Sequence, residues 1–215
     1  MSWLALDTAT ARLSVAAGTD GTDAIERHVD GPRQHASALL TLVDEVLAAR
    51  RETLLDIEAL IVADGPGSFT GLRVGAAVAK ALHDACGLPV RVAPSLLGCA
   101  MLQREAGQVL VTSDALRGDV YAAVYQFDAA AVRCLAGPLV IPREEATSLA
   151  PAAAWLHAVP VDARRLLALR RLGGGLEELS DVAAWIPVYG RPAEAQARWE
   201  REHGRPLTHS SRLAG

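Results

Sequence analysis

The sequence has few of the features that indicate a zinc site, a disulfide framework or a membrane-spanning segment. Its three cysteines, Cys86, Cys99 and Cys134, lie far apart and form no CxxC pair, which disfavours a zinc knuckle and a disulfide framework. No apolar run approaches the roughly 18 residues needed to span a bilayer, and no basic leader precedes the first strand-like run. We therefore expect a cytoplasmic protein that has no membrane segment and needs no metal or cofactor.

Positive charge is also scarce. Lys80 is the only lysine, and 21 Lys and Arg residues face 25 Asp and Glu residues, for a net charge of −4. Binding of nucleic acid by the chain alone needs clustered cations, so this balance disfavours it. The arginines at 164, 165, 170 and 171 could contact RNA, but a solvated helix face is the favoured interpretation. Apolar residues make up 51% of the 215 residues, enough for one or two domains with a core.

The most distinctive stretch is a glycine-rich loop at residues 64–75 (DGPGSFTGLRVG), between the apolar run 60–63 and an Ala-rich segment. Because glycine permits tight turns and Ser68 or Thr70 can cap a helix, the pattern predicts strand, loop and helix. The loop lacks Gly-Lys-Ser/Thr and the Rossmann glycine spacing, and Ser68 is not in a GxSxG elbow. An anion site at the helix N-terminus and a purely structural turn both stay open.

Two predicted hairpins indicate a duplicated fold. Residues 3–7 pair with 12–17, and residues 108–114 pair with 120–125, and each first strand ends in aspartate. This repeat is typical of the actin-like and sugar-kinase ATPases, whose two lobes clasp a nucleotide. The remaining predicted elements are strands at 24–29, 88–92 and 187–189 and helices at 96–105 (capped by Ser95), 144–149, 163–172 (capped by Asp162) and 192–203.

The two aspartates that end these strands have two possible roles. Asp7 and Asp114 could hold Mg²⁺–nucleotide through waters, or each could cap its own turn. Capping is favoured, because no glycines follow either residue to cradle a phosphate. The histidines form no HxxxH or HExxH pair, and His35 is followed four places later by Leu39, so no helical metal site is predicted.

Two predicted helices have faces suited to a partner. In the helix at 34–51, the apolar positions cover roughly 200° of the circumference, against about 100° for an ordinary surface helix. In the helix at 71–86, Gly71, Gly75 and Ala79 form a stripe of small residues that permits close approach of another backbone. Each helix could therefore contact its own sheet on one side and a second surface on another.

Several motifs together resemble one family. LDTAT at 6–10, HAS at 35–37, GPGSFTGLRVG at 65–75, DALRGDVY at 114–121 and PVYGR at 187–191 are similar to bacterial TsaB, also called YeaZ. The resemblance covers most of residues 2–127 and returns near 187–200. It implies an α/β fold of the actin-like ASKHA class with RNase H-like duplicated lobes. We predict an N-terminal lobe over 1–106 and a reduced C-terminal lobe over 107–215.

The resemblance also implies a function. TsaB is a non-catalytic paralogue of the transferase TsaD, and it pairs with TsaD and the ATPase TsaE to make N6-threonylcarbamoyladenosine at adenosine 37 of ANN-decoding tRNAs. The place of the metal-binding HxxxH of TsaD is taken here by His35 and Leu39. We expect the first two helices to contact TsaD, or a second copy in a homodimer, and tRNA to be bound only within the complex. The expected interface residues are His35, Leu39, Leu42, Val46, Thr70, Arg73, Val74 and Val78.

Two other functions stand beside this one. The first is an actin-like ATPase or small-molecule kinase that uses Asp7 and Asp114. Residues 150–160 are short where the adenosine loop of a competent ATPase would lie, which disfavours independent nucleotide binding. The second is an endopeptidase, disfavoured because the sequence has neither a histidine metal pair nor an arranged nucleophile.

Overall fold

A computed structural model describes residues 1–31 and 35–190, which form two β-sheets and four α-helices. The strands are β1 (Ser2–Asp7), β2 (Arg12–Gly18), β3 (Ile25–Asp30), β4 (Ile57–Ala63), β5 (Val90–Ala93), β6 (Gln108–Asp114), β7 (Asp119–Phe127), β8 (Val132–Pro142), β9 (Ala154–His157) and β10 (Glu177–Glu178). The helices are α1 (His35–Arg50), α2 (Phe69–Cys86), α3 (Ser95–Ala100) and α4 (Ala163–Ala168), with 3₁₀ turns at Leu54–Asp56, Met101–Ala106, Arg143–Leu149 and Leu169–Arg171. Of the described helices, none is long and apolar enough to cross a membrane.

The first sheet has the strand order β10-β5-β4-β1-β2-β3. β1 pairs antiparallel with β2 and parallel with β4, so Leu4 lies between Ala17 and Leu60. The predicted hairpin is confirmed, and the third strand is next to β2 at the sheet edge, as expected. Residues 3–6 of β1 are all apolar because Trp3 and Ala5 face one core cluster while Leu4 and Leu6 face another.

The second sheet repeats the arrangement of the first. Its order is β8-β7-β6-β9, in which β6 pairs antiparallel with β7 and parallel with β9, as β1 pairs with β2 and β4. In the first sheet the 16-residue helix α1 connects the third and fourth strands, whereas the second sheet has only the 3₁₀ turn Arg143–Leu149 there. The fold is therefore the predicted actin-like, RNase H-like duplication with a reduced second lobe. The sequence patterns missed β8, β9 and the short β10. The predicted helix at 144–149 is this 3₁₀ turn, and the predicted strand at 187–189 is not part of either sheet.

Two large apolar clusters hold these layers together. The inner cluster lies between the two sheets and includes Ile61, Leu97, Val111, Tyr125 and Leu166. The outer cluster packs α1 and α2 against the far face of the first sheet. Each fully buried Leu, Ile or Val contributes about 1.5–3 kcal/mol by leaving water, so the first sheet is held from both sides.

Of two predicted helix caps, Ser95 is wrong in position, whereas Asp162 is at the N-cap position but its side chain does not cap. Ser95 is the first residue of α3 rather than its cap, and its Oγ accepts a hydrogen bond from the Gly65 N–H at 2.9 Å. The predicted helix at 96–105 is interrupted, because it changes to a 3₁₀ turn at Met101. Asp162 does precede α4, but its carboxylate forms ion pairs with Arg12 and Arg165 instead of capping the helix.

The chain returns from the second sheet to the first after β9. α4 packs on β1 and β2, and β10 extends the first sheet beside β5. The Trp3 ring lies against two guanidinium groups, with Arg170 at 3.9 Å and Arg91 at 4.7 Å from its centroid. Arg170 is thus not on a solvated face, and Arg171 pairs with Asp20. The lobe boundary at residue 106 stays a prediction, and the predicted helix at 192–203 lies outside the described residues.

Candidate functional site

The glycine-rich loop forms the predicted strand, turn and helix. β4 ends at Ala63, and the Ser68 side chain caps α2 by accepting a hydrogen bond from the Gly71 N–H at 3.2 Å. The loop is seated against the turn that follows β1, since the Ser68 N–H donates to the Ala9 carbonyl at 2.7 Å. A Cβ at residue 67 would collide with that same carbonyl, so glycine is required there by close approach. These contacts favour the structural-turn interpretation.

The stripe of small residues on α2 faces inward. Gly71, Gly75 and Ala79 are all buried, and a Cβ at Gly75 would collide with the Thr8 hydroxyl. Close approach therefore occurs between α2 and the chain's own β1 turn. The small residues are therefore used for packing within the chain, and a partner that contacts α2 would meet its outward residues instead.

A cleft of about 970 Å³ lies between the two halves of the fold. Its walls come from the turn after β1, the glycine-rich loop, α3, the β6–β7 turn and residues 158–161. Most of the lining is apolar; the charged residues at its border are Arg12, Asp30, Asp114 and Arg117. Arg12 pairs with Asp30 at 2.9 Å, so part of that charge is neutralised within the chain.

The structure places the two strand-end aspartates differently. Asp114 is exposed, lines the cleft, and its Oδ1 accepts a hydrogen bond from the Leu116 N–H at 2.9 Å. Asp7 is fully buried and does not line the cleft, and its Oδ1 accepts from the Ala9 N–H at 2.7 Å. Each carboxylate therefore stabilises the turn after its own strand by accepting the N–H two residues later, as the capping interpretation predicts.

Burial changes the chemistry of Asp7. Desolvation raises its pKa to about 7 against the lowering effect of the Ala9 N–H bond, and the charges of Asp162 and Glu26 raise it further. A buried carboxyl group that keeps its proton up to about neutral pH is a poorer ligand for Mg²⁺ than an ordinary carboxylate. Within residues 1–31 and 35–190, no group of three or more His, Cys, Asp or Glu residues could hold a metal ion. These observations disfavour a Mg²⁺–nucleotide role for Asp7 and Asp114, which stays a prediction.

One wall of the cleft has an unusual backbone. Leu116, Arg117 and Ala158 have φ values of 66°, 59° and 51°, in the left-handed region that favours glycine. Each such residue costs about 1 kcal/mol, and residues of this kind concentrate at functional sites. No sequence signal pointed to them, since the turn at 115–118 has glycine only at Gly118.

Aromatic residues lie at the cleft border beside the start of α2. The rings of Phe69 and Tyr189 are 4.6 Å apart, and the Arg73 guanidinium is 5.5 Å from the Phe69 centroid. The Tyr121 hydroxyl donates to the Tyr189 carbonyl at 3.2 Å, which joins the second sheet to this cluster. Sequence patterns singled out Arg73 but missed both aromatic residues, which are distant in the chain.

The residues expected at a partner interface divide by burial. On α2, Thr70 and Arg73 are exposed, while Val74 and Val78 are half-buried. On α1, Leu39, Leu42 and Val46 are buried in the outer cluster. His35 is the first residue of α1.

The interface assignment stays a prediction, and it needs one adjustment. The buried residues of α1 can support a docking surface from behind but cannot contact a partner directly. Leu40, which is 55% exposed on α1, was not singled out by the sequence patterns. A docking surface on these two helices would therefore be built from Leu40 and the outward residues of α2.

Two halves of the same RNase H-like topology, joined around one cleft, define a protein of the actin-like class. A family model described as TsaD, tRNA N6-adenosine threonylcarbamoyltransferase, matches residues 30–157, which is more than half of the chain. The chain belongs to this family, and within it to the TsaB (YeaZ) group.

The relatives that support this assignment include proteins from several bacteria. The tRNA threonylcarbamoyladenosine biosynthesis protein TsaB of Escherichia coli is 39% identical over 132 residues, which are 60% of this chain and 56% of that protein. The Haemophilus influenzae TsaB is 36% identical, over 52% of its length. The chain thus spans about half the length of these two relatives. TsaB of Bacillus subtilis is 27% identical, with 93% of this chain and 98% of that protein covered.

Two solved structures from Pseudomonas aeruginosa share the fold. One is an uncharacterised protein with similarity to peptidase YeaZ; it has a TM-score of 0.73 and 26% identity and covers 88% of this chain and 99% of its own. The other is YeaZ, with a TM-score of 0.68 and 26% identity, covering 79% of this chain and 90% of its own.

Proposed function

We propose that the protein is a TsaB-type subunit in the biosynthesis of threonylcarbamoyladenosine in tRNA, and that it acts without catalysing the transfer itself. The name shared by the E. coli, H. influenzae and B. subtilis relatives supports the pathway. The observation that carries the non-catalytic part is the placement of the strand-end aspartates. Asp7 is buried away from the cleft, and Asp114 is engaged by its own turn.

The proposed role is to pair with a TsaD-like transferase, and through that pair with a TsaE-like ATPase. Contact would be made by the outward faces of α1 and α2, and a second copy would use the same faces when the protein is alone. The exposed Leu40 and Arg73 and the half-buried Val74 and Val78 support this choice. Apolar and arginine side chains are the types that stabilise interface centres. Contact with tRNA would then occur only within the complex.

The test is binding of the purified chain to the TsaD-like protein of the same organism, measured by calorimetry. Val74→Asp places a carboxylate at the proposed contact; since Val74 is half-buried and packs on the outer cluster, the Kd is measured where thermal unfolding shows the variant to be folded. We expect the Kd to rise about 30-fold or more, as for loss of a central contact of about 2 kcal/mol. Leu42→Asp is unsuitable, because Leu42 is in the core and the variant would unfold.

The matched control is Leu135→Asp, which places the same charge at a 52% exposed apolar residue of β8 in the other sheet. Its Kd should equal that of the unmodified protein. If Val74→Asp binds as tightly as Leu135→Asp, the α1–α2 assignment is wrong. If the unmodified chain shows no binding to the transferase, the proposed function itself is wrong.

The alternative is an actin-like ATPase or small-molecule kinase, which the 970 Å³ cleft and Asp114 on its border favour. Calorimetry with Mg-ATP on the purified chain separates the two. Binding tighter than about 1 mM that is lost in Asp114→Asn would support the alternative. Absence of binding at that concentration would remove it and leave the pairing role.

A further inference from the structure

Asp7 lies where helix α4 docks on the first sheet. It is the last residue of β1, opposite Ser14 on β2, and is fully buried. Its Oδ1 accepts the Ala9 N–H, while its Oδ2 has no hydrogen-bond partner among the described residues. Ser14 connects this point to α4, because its Oγ accepts the Ala163 N–H at 2.9 Å and donates to Glu26 at 2.6 Å.

Titratable groups from four neighbouring elements lie near Asp7. They are Arg12 at the start of β2, Glu26 on β3, the neutral thiol of Cys99 on α3, and Asp162 and Arg165 at the start of α4. The buried Nη1 of Arg165 has no hydrogen-bond partner among the described residues. The two arginines are directed to Asp162, with Arg12 at 3.2 Å and Arg165 at 2.8 Å. In the described part of the chain, no cation forms an ion pair with Asp7, and the Coulomb effects of Asp162 and Glu26 oppose its ionisation.

A carboxylate cannot be held in this position at low cost. Burial of an unpaired charge is strongly unfavourable, so a carboxyl group in such a site binds a proton or the site opens to water. Because α4 packs on β1 and β2 and its Ala163 N–H donates to Ser14 opposite Asp7, the two outcomes are coupled to the docking of that helix.

We propose that Asp7 is a proton-operated latch: with its proton bound it lets α4 close on β1 and β2, and loss of the proton loosens α4. Val161, one residue before Asp162, lines the cleft together with Arg12. Release of α4 therefore widens the cleft between the two halves of the fold. The latch does not depend on the proposed function.

The direction of the effect follows from proton linkage. In the closed form the pKa of Asp7 is raised to about 7, whereas an opened, hydrated carboxyl group returns towards its ordinary value of 3.8. At pH values between these two pKa values, the docking of α4 is therefore accompanied by binding of a proton to Asp7. The opening constant of α4 should rise about tenfold per pH unit over the range from about pH 5 to 7 and level off above about pH 8.

The experiment is amide hydrogen exchange of residues 163–168 on the full chain from pH 5 to 8, corrected for the pH dependence of chemical exchange. In the unmodified protein the opening constant of these amides should rise as stated. Asp7→Asn mimics the protonated acid, and its opening constant should not change with pH. Asp114→Asn is the matched control, since Asp114 ends the equivalent strand and caps the same kind of turn while exposed. It should behave as the unmodified protein.

A second measurement covers the case in which Asp7→Asn does not fold. The ¹³C chemical shift of the Asp7 carboxyl carbon in the unmodified protein should titrate near neutral pH. An Asp7 titration at the ordinary value of about 4 overturns the latch. So does a pH-independent opening constant in the unmodified protein, or an Asp7→Asn variant with the same pH dependence as Asp114→Asn.

Discussion

At the scale of single residues, close contacts within the chain require glycine at two positions of the glycine-rich loop and α2. Gly67 and Gly75 come from one motif, and both face the turn that follows β1. The motif is therefore a device for packing α2 tightly on the first sheet. That packing sets the position of the outward residues of α2, including Arg73 and Val74.

The contact between Gly75 and Thr8 predicts a compensating pair of substitutions. Gly75→Ala should lower the free energy of unfolding by about 1–2 kcal/mol, because overpacking against the Thr8 hydroxyl exceeds the gain in helix propensity. In a Thr8→Ala background the hydroxyl is gone and the nearest remaining atom lies at an ordinary 3.5 Å. The same Gly75→Ala change should then be neutral or stabilising by up to about 1 kcal/mol.

Urea denaturation of the four proteins in this double-mutant cycle measures the coupling. A coupling energy near zero would mean that α2 does not approach the β1 turn as closely as the structure has it.

At the scale of elements, short segments from the second half of the chain are attached to the first sheet. The 3₁₀ turn Leu169–Arg171 brings Arg170 onto the Trp3 ring, and β10 brings Glu178 to Arg91 at 2.8 Å. Trp3 is also fixed by its indole N–H, which donates to Glu58 at 3.0 Å. The segment 169–178 is thus attached to the first sheet through arginine side chains that stack on Trp3 of β1.

This attachment predicts a difference between neighbouring arginines. Arg170→Ala should reduce stability by about 1–2 kcal/mol, because it removes a partly desolvated cation–π contact and the packing of the side-chain stem. Arg164→Ala removes an exposed arginine of α4 and should change stability by less than about 0.5 kcal/mol. Thermal unfolding of the two variants provides the comparison. Equal losses of stability in the two variants would show that the guanidinium stacked on Trp3 does not stabilise the fold.

At the scale of the whole molecule, buried and exposed carboxyl groups have opposite effects on how stability depends on pH. Asp56 and Asp128 accept backbone N–H bonds from Thr53 and Ala130, and these bonds lower their pKa values. Their stabilising effect is present above the ordinary value of 3.8 and is lost as pH falls through their lowered pKa values. Asp7 acts in the opposite direction, since its raised pKa makes its contribution fall as pH rises towards 7.

The pH dependence of global stability should therefore have a maximum in the acidic range. We expect the free energy of unfolding to be largest near pH 4–5 and to fall towards pH 7 by up to about 4 kcal/mol, the linkage value for a single shift of this size. Urea midpoints measured from pH 3 to 8 test this. In Asp7→Asn the neutral limb should be flat, while the acid limb should be unchanged. A stability that rises from pH 5 to 7 in the unmodified protein would contradict the assignment.

Features that depend on neighbours in the chain can be predicted from the residues alone. The apolar runs of β1, β4 and β6, the turn chemistry after Asp7 and Asp114, and the start of α2 at the Ser68 cap all follow from local preference and periodicity. Family motifs within these segments were enough to indicate the duplicated fold. β8 and β9 were missed, because their pattern is irregular and their pairing with β7 and β6 is a non-local choice.

The face that each residue presents, and the charge that it carries, depend on contacts between segments distant in the chain. Gly75 was expected to allow close approach of a partner helix, but its contact is with Thr8, which lies 67 residues earlier in the chain. Leu39 and Val46 went to the core, while Leu40 stayed exposed. Asp7 and Asp114 occupy equivalent strand ends, yet one is enclosed by α4 and the other borders an open cleft. Desolvation of a side chain depends on the residues that bury it, and these are distant in the sequence.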